Sequence, residues 1–209
     1  MTNNEITIKE LKNPTKLQLD RISKLHILAF PGFFLTQLGY SFLKTLYTGY
    51  FEDEESGIIV AEKEEEIIGF IAYSKDYPKF YKGLIKKHLL RFAICSAGAS
   101  IKHPSFIKRL LGAFGKSDSV VKKEKYVELS SICVDPAVEG CGVGSRLIEF
   151  LKNSVDFNTY AYINLETDAE DNDAANHFYK KNAFRLARTF VTDEGRKMNE
   201  YRFGETLQI

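Results

Sequence analysis

The sequence predicts one α/β (α+β) domain, a sheet flanked by helices with a helical segment inserted into it. Three observations predict it. Gly57 to Glu62 and Ile67 to Ser74 are apolar, β-branched runs spaced as an antiparallel hairpin. Tyr126 to Val134 is a further strand that ends in a glycine-spaced turn opening an amphipathic helix. Strand and helix patterns then alternate to the end of a 209-residue chain, long enough to bury one substantial core.

In order, Ile6 to Leu11 reads as an edge strand and Thr15 to Ala29 as a helix, with apolar Leu17, Leu19, Ile22, Leu25 and Leu28 and a start signal at Asn13-Pro14. Phe30-Pro31-Gly32-Phe33-Phe34 interrupts it, and a second helix is expected from Thr36 or Gln37 to Tyr47 or Tyr50. Lys63-Glu64-Glu65-Glu66 joins the hairpin strands as a charged turn of several residues. Tyr77 to Ser96 and Ser105 to Phe114 read as helices separated at Pro104. The helix after Gly144 aligns Leu147, Ile148, Leu151 and Val155. Ala161 to Glu166 is a strand, and Asn172 to Lys181 a helix capped near Asp171 or Asn172. Ala183 to Thr192 and Tyr201 to Leu207 are the last strands, around a polar turn at Asp193 to Lys197.

Net charge is +1, but residues 76–125 hold twelve Lys and Arg against three Asp and Glu, so the remainder carries −8. A solvated face, an anionic ligand or partner, and an anionic membrane surface all fit this basic insertion. A nucleic-acid partner is not expected, because no recognition motif accompanies the charge. Cys95, Cys133 and Cys141 show neither metal-ligand spacing nor even pairing, and the first ten residues lack a signal-peptide pattern. A cytoplasmic protein without a bound metal is the expectation.

Glycines at 140, 142 and 144 leave room for a pyrophosphate against the backbone N–H groups of a helix start, where the dipole favours an anion. The segment is neither a P-loop nor a convincing dinucleotide fingerprint. With Ile132-Cys133-Val134-Asp135-Pro136 before it, Asn172 and Ala175 after it, and then Phe178-Tyr179-Lys180-Lys181-Asn182-Ala183-Phe184, the chain resembles the GCN5-related N-acetyltransferase (GNAT) family. The motifs span Glu128 to Phe184, and a looser likeness covers the rest except Asp76 to Lys125.

The resemblance implies a mixed, splayed central sheet with the helical insertion between its third and fourth strands, a single domain over 1–209, and acetyl-coenzyme A as cofactor. It implies that Glu139, Gly140, Cys141, Gly142, Val143, Gly144 and Ser145 cradle the pyrophosphate. Ile132, Cys133 and Val134 would pair through their backbone with the pantetheine arm, and Asn172, Ala175, Phe178 and Tyr179 would complete the cofactor wall. Two positions depart from the family pattern. Glu139 replaces Gln or Arg, so only its backbone is expected to take part. Ala183 replaces Gly, and Asn182 is expected to supply the left-handed helix end instead.

Acyl transfer to an amine needs a neutral nucleophile, a polarised carbonyl and a proton for the departing thiolate. By resemblance Tyr179 is the proton donor, a phenol protonated below a pKa of about 10. Glu128 is the candidate base. Without a bulge, period two puts it on one face with Ser130, Ile132 and Val134. Ser130, Phe33 and Phe34 are candidate acceptor contacts, with Tyr40 on the same wall and His26 turned toward it. Cys133 reads as a buried small hydrophobe. The expected acceptor is a small-molecule primary amine, with an amino sugar or nucleotide-linked amino sugar among the candidates, and the expected assembly is a monomer or homodimer. The competing class is a noncatalytic acyl-coenzyme A-binding module.

Overall fold

The computed structural model describes residues 5–102, 124–138, 140–193 and 195–204. Strands β1 (Thr7–Leu11), β2 (Ser56–Lys63), β3 (Glu66–Ser74), β4 (Tyr126–Val134), β5 (Tyr162–Asp168), β6 (Arg185–Val191) and β7 (Lys197–Phe203) form one sheet. Their order is β1-β2-β3-β4-β5-β7-β6, with β1 at an edge as expected. Among the described residues only β4 and β5 pair in parallel, so the sheet is mixed.

Helices α1 (Lys16–Ala29), α2 (Phe34–Gln37), α3 (Tyr40–Glu52) and α4 (Tyr77–Lys102) precede β4. Helices α5 (Val143–Ser154) and α6 (Asp173–Lys181) follow it. One core joins Ile22, Leu25, Leu43, Tyr47, Phe80 and Phe92 to Phe70 and Cys133 of the sheet. The other joins Leu147, Ile148, Leu151 and Tyr179 to Val127, Leu129, Ile163 and Leu165. The sheet therefore separates α1, α3 and α4 from α5 and α6. Helix α4 is the insertion between β3 and β4, and the second helix expected there, Ser105 to Phe114, lies outside the described residues.

Helix α1 is capped by Thr15, one residue after Pro14, in a capping box in which Thr15 and Gln18 exchange hydrogen bonds. The second helix is not continuous. Gly39, at φ 95°, turns the chain between α2 and α3, a conformation that favours glycine. The hairpin turn is shorter than expected because Lys63 and Glu66 pair in the ladder. Only Glu64 and Glu65 remain, both at positive φ (50° and 66°), as the twist of a two-residue turn demands. The last strand likewise starts earlier than expected, at Lys197, because β7 pairs with both β5 and β6 from that end.

Two local corrections concern the candidate site. β4 carries a bulge: Ala72 pairs with Ser131 and Tyr73 with Leu129, so Ser130 is the extra residue. The alternation inverts there, since Val127 and Leu129 share the α5–α6 core with Ile132 and Val134 while Cys133 joins the other core. Glu128 consequently faces away from Ile132 and Val134. At the end of α6 the left-handed residue is Ala183 (φ 61°), not Asn182 (φ −88°). Ala183 N bonds Lys180 O and Phe184 N bonds Tyr179 O, each at 3.0 Å, the paired bonds of a Schellman ending.

Candidate active site

The register of β4 with β5 contains three pairs, ending at Glu128 opposite Asn164, although β4 runs on to Val134 and β5 to Asp168. Beyond that point the strands part. One edge of β4 keeps its bonds to β3, and the other faces a cleft of about 910 Å³.

The glycine turn closes one end of this cleft. Asp135 fixes its approach, accepting from the Ala137 amide at 2.9 Å and from Arg21 Nη2 at 2.6 Å, while Arg21 Nε donates to Ile67 O at 2.8 Å. The Ala137 amide first, and Arg21 second, hold the Asp135 carboxyl below its usual range. Gly140 (φ 81°) and Gly142 (φ 75°) adopt the left-handed conformation, with nothing within 4 Å of where a Cβ would stand. Gly144 has a different role from theirs. A Cβ on it would meet Phe178 Cζ at 3.1 Å, so it lets α6 close onto the start of α5. The first intrahelical bond of α5 runs from Arg146 N to Gly142 O, and no side chain caps the helix. The amides of Val143, Gly144 and Ser145, which line the cleft, therefore have no helical partners, and a helix start of this kind can hold an anion by backbone alone.

The opposite wall is α6 and the outer end of β5. Asn172 takes the N-cap position without a capping bond and instead donates to Thr167 Oγ1 at 2.7 Å. Asn176, buried one turn on, donates to Asp168 O at 2.9 Å and Asn172 O at 2.8 Å, and accepts from Asn199 and Tyr201. Tyr179 lines the cleft at 9% exposure, among Phe178, Phe184 and Tyr201. Burial, with the Cys133 thiol as a lesser cause, pushes its phenol above the usual range. It keeps its proton at any physiological pH.

Of the residues read from the sequence, Ile132, Cys133, Val134, Gly140, Gly142, Val143, Gly144, Ser145, Asn172, Ala175, Phe178 and Tyr179 line the cleft, as do Ser130, Phe33 and Phe34. Cys141 is exposed and does not line it. Glu139 lies outside the described residues. Glu128 is set back from the lining, where Asn164 Nδ2 donates to it at 2.8 Å and its charge bears on Tyr50 and Tyr77. Tyr40 is also off the wall, its hydroxyl given to Asp20. Burial raises the Cys133 thiol well above its usual range, consistent with packing rather than reactivity.

No local sequence pattern points to Thr167, Asp168 or Arg196. Arg196 lines the cleft and holds both carboxylate oxygens of Asp168, at 2.7 and 2.8 Å. Only the hairpin that returns β7 along β5 brings them together, across 28 residues of chain.

Residues 19–184 match the acetyltransferase (GNAT) family, and the chain belongs to that family. Similar solved structures include an N-acetyltransferase from Staphylococcus aureus Mu50, 17% identical, covering 95% of this chain and 98% of the other at a TM-score of 0.58. A GNAT-family acetyltransferase from Bacillus cereus ATCC 10987 is 13% identical, covering 97% and 99% at a TM-score of 0.58. The ribosomal-protein-S18-alanine N-acetyltransferase from Escherichia coli is 16% identical, covering 95% and 93% at 0.56. These similarities are of fold. No curated protein sequence matches the chain.

Proposed function

We propose that the protein is an N-acetyltransferase that moves the acetyl group of acetyl-coenzyme A onto a primary amine of a small or medium-sized acceptor. The parting of β4 and β5 beyond Glu128 and Asn164 carries the reading, because it opens a strand edge beside the uncapped start of α5. Both features suit the cofactor. Amides of a pantetheine arm can pair with the backbone of Leu129 to Val134, and a pyrophosphate can reach the amides of Val143, Gly144 and Ser145 across two glycines that carry no side chain. When bound, acetyl-coenzyme A supplies an acetyl group activated as a thioester.

The remaining work belongs to the chain. The Tyr179 hydroxyl holds a proton at the cleft wall, placed to protonate a leaving thiolate. Glu128 takes the proton of the attacking amine through water, since it stands behind the lining beside Asn164. Phe30, Phe33 and Phe34 give the acceptor end an apolar wall, with Ser130 and Gln37 as hydrogen-bonding groups. That mixture suits an amino sugar. A nucleotide-linked one has less support, because Arg196 is already neutralised by Asp168.

Thiol release from acetyl-coenzyme A, measured across amino sugars, nucleotide amino sugars, polyamines, aminoglycosides and peptides, tests the proposal, with Tyr179→Phe as control. Turnover with one class, reduced about 10²-fold or more in the variant, is expected. Calorimetric binding of the cofactor with silence across the panel would instead favour a noncatalytic binding module.

A further inference from the structure

We propose that His26 is an acceptor-binding residue whose Nε2–H hydrogen-bonds an uncharged oxygen of the acceptor, so that the site selects amines carrying hydroxyl or carbonyl oxygens. The assignment rests on the transferase reading above for the use of the cleft, and on the surroundings of His26 for the chemistry of the ligand.

His26 lies near the end of α1, is 2% exposed, and contributes to the cleft wall. Its Nδ1 is 2.6 Å from the hydroxyl of Tyr47, a residue with no exposure at all. The Ser131 hydroxyl also bonds the Tyr47 oxygen; with Ser131 donating there and the phenol donating on to the imidazole, Nδ1 accepts and the ring proton resides on Nε2. Burial lowers the imidazole pKa to about 4, which leaves the ring neutral at physiological pH.

The ring nitrogens diverge, so Nε2 points away from Tyr47, in a residue that borders the cleft. Nε2 is buried and has no partner in the protein. A buried donor left unsatisfied is a standing cost, and a ligand that supplies an acceptor removes it. Across the same cleft Ser130 Oγ, on the bulge of β4, is also buried, with the Tyr50 phenol as its neighbour. Two hydrogen-bonding side chains, one from α1 and one from β4, therefore border one cavity beside the opening between β4 and β5, and His26 brings to it an atom without a partner.

The chemistry of the ligand follows from what surrounds these atoms. Phe30 stands edge-on to the imidazole at 5.0 Å, and Phe33 packs 4.9 Å from Phe30. Neither His26 nor Ser130 carries charge to neutralise an anion in this wall, and an ammonium has no lone pair for Nε2–H to bond. An uncharged oxygen satisfies the donor without burying a new charge.

Two measurements test the proposal. In ¹⁵N-histidine spectra of the wild-type protein at pH 7, His26 should be neutral with its proton on Nε2, and adding glucosamine to the coenzyme A-bound protein should shift that signal while cyclohexylamine does not. In turnover, His26→Phe should lower kcat/KM for glucosamine about tenfold through KM, leaving cyclohexylamine and the KM for acetyl-coenzyme A unchanged. His26→Gln retains an N–H donor and should recover part of the loss. A proton on Nδ1, a charged ring, or equal losses on both amines would overturn the assignment. Should wild type acetylate neither amine, the transferase reading fails on these probes, and the spectra still decide: no shift of His26 with glucosamine ends the proposal.

Discussion

Replacing Asn176 by alanine should loosen one wall of the cleft without touching a cofactor-facing atom. Its side chain is 8% exposed and makes four hydrogen bonds, two donated to Asp168 O and Asn172 O and two accepted from Asn199 Nδ2 and Tyr201 Oη. The partners do not suffer equally. Asn172 O keeps the Asn176 backbone amide, and Asp168 O keeps a long contact from Asn172. Tyr201 is fully buried, and its hydroxyl loses the acceptor it shares the core with. An orphaned buried hydroxyl costs about 1–3 kcal/mol, and each milder loss about 0.5 kcal/mol, which gives about 3 kcal/mol in total. For a domain of this size that is a Tm lower by about 6–12 °C. Urea denaturation of Asn176→Ala, Tyr201→Phe and the double variant checks the working, with an expected coupling of about 1–2 kcal/mol. A single-variant loss below 1 kcal/mol, or strictly additive effects, would refute the reasoning. Because Asp168 and Asn172 both line the cleft, calorimetry should also show weaker binding of coenzyme A.

Ala183→Gly should stabilise the protein by about 0.5–1 kcal/mol, since Ala183 sits at φ 61° where only glycine is free of strain; thermal denaturation reads it. Gly142→Ala should cost about 1 kcal/mol through its φ of 75°, with no clash to add, and should raise the KM for acetyl-coenzyme A, as steady-state kinetics would show. His26 resists protonation down to about pH 4 against 6.5 for a free ring, so the unfolded chain binds the extra proton across that window. Stability should therefore fall as pH drops from 6.5 to 4, by up to about 3 kcal/mol, and His26→Gln should flatten that part of the denaturation profile. Glu128→Gln should lower kcat about 10²-fold while calorimetry finds cofactor affinity unchanged.

What was legible in the sequence is what local pattern encodes. The span of β4, Tyr126 to Val134, is the one period and turn residues delimit, and the start of α1 follows from Asn13-Pro14, although the Thr15–Gln18 box that closes it shows only in the fold. The glycine turn could be read for the same reason, because its chemistry is backbone chemistry. Ser130 shows the limit. Its bulge depends on how many residues of β3 lie opposite, so period two alone leaves the face of Glu128 conditional on it, and the bulge turns Glu128 away from Ile132 and Val134. Asn182 shows another: asparagine tolerates the left-handed conformation best after glycine, yet the two closing bonds of α6 require it one residue later, at Ala183. The Arg196–Asp168 pair had no local signal, since each residue alone reads as an ordinary loop or strand-end charge.

The bulge also bears on how the proposed reaction is divided. Tyr179 belongs to the α5–α6 face of the sheet, together with Ile132 and Val134, while Glu128 belongs to the face of α3 and α4, near Tyr50 and Tyr77. The proposed acid and base thus stand on opposite sides of the sheet, which among the described residues opens at the gap beyond Glu128 and Asn164. An amine arriving from the His26 and Phe33 side then meets a thioester held along β4 from the other side, and each proton is handled on its own face. A covalent carrier would need a nucleophile in the gap that can lose its proton. Cys133, the thiol in the cleft wall, has instead been pushed toward the protonated form by burial. Direct attack of the amine, with both substrates bound together, is the order of events this arrangement favours.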